Sequence, residues 1–158
     1  PLGAVAAVVN IAAQSGGRRL AQQGNGFVEQ GNGSGVNIGA IIGAGVEVVG
    51  TISAFQQVSS GIQHHRTITK TEGQTRWIVR DELTNLPAGT PISQLWHLPP
   101  DAAGKVRITA KTASGEVLTA NTTEGWASAM YGARTPTTEH AFTATTHIIE
   151  TIIDLEPV

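Results

Sequence analysis

Beyond residue 50 apolar residues do not recur with the spacing of a helix, and where they alternate with polar ones the period is two. Residues 105–112 show it most clearly. Val106, Ile108 and Ala110 fall on one side, and Lys105, Arg107, Thr109 and Lys111 on the other. Such alternation marks a strand with one buried face. Further runs rich in β-branched residues lie at 46–52, 62–70, 75–83, 92–98, 116–120, 141–147 and 148–155. Gly73 sits between the runs at 62–70 and 75–83, which predicts a hairpin, and residues 113–115 predict a tight turn. Gly50 is expected to mark a bulge. No 3.6-residue period emerges in 51–158. Several short strands with regular turns predict an all-β fold, an antiparallel β-sandwich of stacked sheets.

The first 44 residues read differently. Of the 19 glycines, 12 lie in residues 1–50, with only four charges, Arg18, Arg19, Glu29 and Glu47. Residues 2–14 are apolar enough for a short helix or a buried strand. The expected organisation is a Gly-rich, less regular segment or extra strands at 1–44, followed by the sandwich at 45–158. The glycine runs at 31–35 and 39–45 read as turns. A phosphate loop would need a strand before them and a helix with Lys-Ser/Thr after them, and neither is present in the pattern.

Composition removes whole classes of function. At 158 residues the chain is one domain's worth. Charged residues are 14% and the net charge is −2, so bulk electrostatics argue against a nucleic-acid partner. Cysteine is absent, which removes disulfides, zinc fingers, iron–sulfur sites and a thiol nucleophile. No run reaches the roughly 18 apolar residues of a membrane span, and no membrane partner is expected. The chain opens on Pro1, and its apolar start lacks a basic segment before it. It is read as interior sequence of a longer or processed protein.

The candidate chemistry is sparse. His64 and His65 are strand neighbours, so they point to opposite faces and cannot clamp one metal together. His64 and Arg66 share a face, where a planar guanidinium and a tunable imidazole can bind a carboxylate. The plain alternative is a solvated sheet face. Trp77, flanked by Ile78 and Val79, is expected in the core. Trp96 and His97 lead into a rigid Leu98-Pro-Pro exit. Trp126 and Tyr131 are expected in a Gly-containing loop at 124–134, as a ligand rim or an inter-domain contact. Asp81 and Glu82 are adjacent, hence on opposite faces, and neither an acid pair nor a Ser/His/Asp triad is evident.

Four motifs then occur in order: Ser60-Gly-Ile-Gln-His64-His-Arg66-Thr-Ile, Arg76-Trp-Ile-Val-Arg-Asp81-Glu-Leu, Gln94-Leu-Trp96-His97-Leu-Pro-Pro-Asp101, and Gly125-Trp-Ala-Ser-Ala-Met-Tyr131-Gly132, closed by Thr151-Ile-Ile. Over about residues 45–155 this order resembles the C-terminal β-sheet domain of the heparinase II/III-like polysaccharide lyases. The resemblance implies a bacterial, periplasmic or extracellular protein that cleaves uronic-acid-containing polysaccharides by β-elimination. It also implies an N-terminal α/α toroid, which carries most of the catalytic machinery and is missing from this chain. The family's catalytic His in a His-Asn-Thr-Val stretch has only Gly24-Asn25-Gly26-Phe27 as its counterpart here, so the chain alone is expected to be inactive. Substrate contact is expected at His64, Arg66, Trp96, His97, Trp126 and Tyr131. Some relatives hold a structural metal in this part, and His64 is the position that carries over; no other cofactor is implied. Ten basic residues against twelve acidic ones favour an acidic polysaccharide of low sulfation, such as alginate, over heparin. The alternative is a non-catalytic carbohydrate-binding or structural β-module.

Overall fold

The computed structural model describes residues 8–15, 18–22, 35–38, 45–53, 55, 58–98, 102 and 104–155. These form twelve strands: β1 (Val8–Ser15), β2 (Arg18–Gln22), β3 (Gly35–Ile38), β4 (Gly45–Ser53), β5 (Gln63–Thr71), β6 (Arg76–Thr84), β7 (Ile92–His97), β8 (Val106–Thr112), β9 (Val117–Leu118), β10 (Asn121–Met130), β11 (Ala133–Ala144) and β12 (Ile148–Leu155). A first sheet has the order β10-β11-β7-β1-β2, and a second has β3-β4-β5-β6-β12-β8-β9. Every pairing is antiparallel. The fold is an all-β sandwich, as the alternation predicts.

The period of two decides which residues meet between the sheets. From the second sheet, Val79, Leu83, Ala110 and Ile149 face inward; from the first, Ile92, Trp96, Phe142 and Ala144 meet them. Each large side chain buried here contributes about 1.5–3 kcal/mol. Phe55, Ile62 and Leu86, from the loops at the β4–β5 and β6–β7 end, join the same cluster. At that end Asn85 Nδ2 donates to the Gly61 carbonyl at 2.9 Å. Asn85 itself has a φ of 59°, a conformation that asparagine tolerates better than most side chains. On the outer face of the second sheet, the charges pair across strands: Arg76 with Asp154 and Lys111 with Glu150.

Several expectations are corrected. The β5–β6 hairpin turns at Gly73 with φ 72°, as predicted. Gly50, however, is not a bulge: it pairs in unbroken register with Val36 on one side and Arg66 on the other. Trp77 is only half-buried, at the edge of the inner face, with the Lys70 ammonium 5.6 Å from its ring centroid. Residues 124–134 are not a loop but the tip half of the β10–β11 hairpin, whose turn is only Tyr131-Gly132. Gly125 and Pro136 hid it in the sequence, since both usually break strands. Pro136 is tolerated because β7 pairs with β11 only over residues 139–144, so among the described residues no second strand needs its missing N–H. Strand β1 takes the extended form of the two options left open for residues 2–14. It joins the first sheet beside β7 together with β2, while β3 edges the second sheet. Residues 24–27 and most of the two glycine runs lie outside the described residues.

Candidate functional site

Among the described residues, the most concentrated polar cluster lies between the sheets. Asp81, on β6, has no solvent exposure, and both its carboxylate oxygens are saturated. Oδ1 accepts from His64 Nε2 at 2.7 Å and from Arg66 Nε at 2.6 Å. Oδ2 accepts from Arg66 Nη2 at 2.9 Å and from the Gln94 amide. The other end of that amide, Gln94 Oε1, accepts from Trp96 Nε1 at 3.1 Å and from the Thr151 hydroxyl. His64, Arg66, Asp81 and Thr151 belong to the second sheet, and Gln94 and Trp96 to the first, so the network joins the two layers. An ionised carboxylate only accepts, so His64 must carry its proton on Nε2.

The strand register explains the convergence. Arg66 lies directly opposite Asp81, and His64 opposite Leu83, on the inner face of the β5–β6 pair. Gln94 and Trp96 are two apart on β7 and face the same way. A bidentate guanidinium with two further donors is a strong way to hold a buried carboxylate. Burial alone would raise the Asp81 pKa, but the hydrogen bond from His64 and the charge and hydrogen bonds of Arg66 outweigh it. The carboxyl therefore sits below its ordinary value. A depressed acid contributes stability that is present above the unfolded pKa and is lost as pH falls through the folded one. The urea midpoint is thus expected to hold down to about pH 4, the ordinary aspartate value, and to fall steeply below it. A series of urea titrations from neutral to strongly acid pH measures this, and in Asp81→Asn the acid slope should shrink.

The same geometry tests a metal at His64. Its Nε2 donates to Asp81, both Asp81 oxygens are engaged, and the Arg66 guanidinium already supplies the positive charge. Among the described residues, no group of three or more His, Asp or Glu is placed to hold a metal ion. The residues do not fit a metal. Excess chelator, or added zinc, is expected to leave the thermal midpoint unchanged; a rise with zinc that is lost in His64→Gln would show a metal held there.

The six candidate residues do not form one constellation. His64, Arg66 and Trp96 belong to the buried network, where Trp96 is 1% exposed, and neither His64 nor Arg66 lies on a solvated sheet face. His97 points to the opposite face of β7. There its Nε2 lies 3.0 Å from Glu139 Oε2, and its ring rests on Gly125. A Cβ at Gly125 would stand 2.9 Å from His97 Cδ2 and 3.2 Å from Glu139 Cβ, so this glycine makes room for the His97–Glu139 pair. Trp126 is 48% exposed, and Tyr131 is fully exposed at the hairpin turn. The Arg134 guanidinium lies 4.4 Å from the Trp126 ring centroid, close enough for a cation–π contact.

Sequence reasoning missed Asp81, Gln94 and Thr151 as members of the network, although one signal was available. The inward phase of β6 runs Trp77, Val79, Asp81, Leu83, so a charged residue falls on an apolar face. Acids are almost never fully buried unless paired, and the inward phase of β5 presents His64 and Arg66 as the partners.

No family model matches the chain, and no curated protein matches it in sequence. Among solved structures, a heparinase III with methylated lysines is similar, with a TM-score of 0.59 and 13% identity. The match covers 77% of this chain and 21% of that one. The chain thus spans about a fifth of that protein's length, and what the two share is a heparinase-type β fold.

Proposed function

We propose that this chain is the β-sandwich part of a polysaccharide lyase that cleaves uronic-acid-containing glycans by β-elimination, and that it lacks the catalytic helical toroid. The observation that carries this reading is the heparinase III-type fold over 77% of the chain, together with the four ordered motifs. In β-elimination a base removes the C5 proton, the electron pair forms the C4–C5 double bond, and the C4–O4 bond breaks as an acid protonates the departing O4. The C5 proton is weakly acidic, so the neighbouring carboxylate must be held by donors or a cation while charge builds. In this reading the sandwich braces the toroid and walls the cleft. His64, Arg66 and Trp96 hold the sheets together, which leaves His97, Trp126 and Tyr131 as the side chains for substrate contact. The balance of ten basic and twelve acidic residues favours a uronate polymer of low sulfation. Export to the periplasm or beyond follows from the same reading, because such polymers lie outside the cell.

The test is the full gene product incubated with alginate, heparosan, heparan sulfate and hyaluronan, read by the ultraviolet absorbance of unsaturated uronate. Absorbance growing with at least one unsulfated polymer is expected. If every uronate polymer is left uncut, the lyase reading fails. A non-catalytic carbohydrate-binding module is the second reading, favoured by the exposed Trp126 beside Arg134; retention on immobilised glycan without any cleavage by the full product would select it.

A further inference from the structure

The β10–β11 hairpin outruns its sheet. Strand β7 pairs with β11 only over residues 139–144, so among the described residues 133–138 pair only with β10 and the pair continues as a two-stranded ribbon. A bare ribbon of this kind is marginal unless braced. Two braces are present: the Thr137 hydroxyl donates to the Leu98 carbonyl, and Ser128 Oγ donates to the Ala133 carbonyl at 2.7 Å.

One face of this hairpin continues the inner face of the first sheet. Across it the register pairs Thr122 with His140, Glu124 with Thr138 and Trp126 with Pro136, and Arg134 reaches the Trp126 ring from the same side. Beyond the half-buried His140, the residues of this row are exposed, so the second sheet does not cover it. From His140 to Arg134 the row is six residues long, or roughly 20 Å at strand rise. It offers an aromatic ring with a guanidinium on the side toward the tip and a carboxylate, Glu124, on the side toward the sheet.

We propose that this row is a uronate-binding strip, in which Trp126 stacks on a sugar ring and Arg134 grips its carboxylate. The assignment rests on the lyase reading for its substrate class, but its geometry stands apart from the chemistry. An indole face suits the C–H face of a pyranose. A planar guanidinium matches a carboxylate with two parallel N–H···O bonds. Glu124 sits on the far side of Trp126 from Arg134, where it accepts from sugar hydroxyls, and its charge orients the bound carboxylate toward the tip. Arg134 on the strip leaves its ring contact to take the ligand, at a cost of about 0.5–1 kcal/mol for an exposed cation–π pair.

The experiment is calorimetric titration of the chain with an unsulfated oligouronate and with a neutral oligoglucan of equal length. The unaltered chain is expected to bind the oligouronate the more tightly. Arg134→Gln should cut oligouronate affinity at least tenfold and leave the oligoglucan unchanged. Trp126→Ala should cut both. Both side chains are exposed, so the melting temperature of each variant serves as a control for folding. No oligouronate binding, or full binding by Arg134→Gln, overturns the proposal. So does Trp126→Ala that keeps sugar affinity but weakens attachment of a helical domain in the full product, which would make the strip an inter-domain contact. Elimination by the full product that persists unchanged in both variants would sink the strip while the lyase reading stands; absence of elimination in the unaltered product would sink the lyase reading instead.

Discussion

Asp81→Asn lowers the melting temperature by about 10 °C. The substitution keeps shape and volume, removes the negative charge, and turns one acceptor oxygen into an NH2 donor that faces donors. Arg66 then has no carboxylate beneath it, and its side chain is only 21% exposed, so water replaces little of what is lost. Breaking one side of a buried ion pair costs about 3–5 kcal/mol, and the partial exposure of Arg66 favours the lower end. For a domain of this size, each kcal/mol corresponds to about 2–4 °C. The paired change Arg66→Met with Asp81→Leu should recover part of the loss, because it removes both charges from the interior. Thermal melts of the single and double variants measure this; a single variant within 2 °C of the parent would mean the carboxylate carries no such load, since it would report less than about 1 kcal/mol.

Gln94→Leu is the second large effect. Leucine fills nearly the same space, so the cavity contribution is small. What is lost is an amide that presents a donor to the Asp81 carboxylate and an acceptor to Trp96 and Thr151. The Trp96 N–H and the Thr151 hydroxyl are then buried without a partner. Each such orphan costs about 1–3 kcal/mol, so roughly 3 kcal/mol and a similar fall in melting temperature are expected. Gln94→Glu separates the two halves of the role. It keeps the acceptor for Trp96 and Thr151 but sets a second carboxyl against Asp81, so its deficit should narrow as the pH falls and the new side chain takes a proton. A Gln94→Glu deficit that does not change with pH would contradict the stated orientation of the amide.

Much of the fold was legible because one rule, the period of two, governs both the sequence and the sandwich. The residues 105–112 alternate in β8 as read, and the β5–β6 hairpin turns at Gly73. The rule also held the core of the network in plain view, since Asp81 shares its phase with Val79 and Leu83. It was passed over because the acid was weighed against its neighbour Glu82, not against the residues across the strand pair. The β10–β11 hairpin was hidden for a different reason. Gly125 and Pro136 break local strand preference, and only the ring of His97 and the short reach of β7 explain why they are tolerated. Both causes are tertiary, so no local pattern records them. Trp126 is exposed, as a place on a rim requires, but its contact with Arg134 depends on the hairpin register and was not read from the sequence.

The most direct test of the account is the unsaturated-uronate assay on this chain alone, across alginate, heparosan, heparan sulfate and hyaluronan. No new absorbance with any polymer is expected, because in the lyase reading most of the machinery for proton removal and carboxylate stabilisation belongs to a helical toroid outside these 158 residues. New absorbance with even one polymer would contradict the account, and would mean that this sandwich holds a complete elimination site of its own.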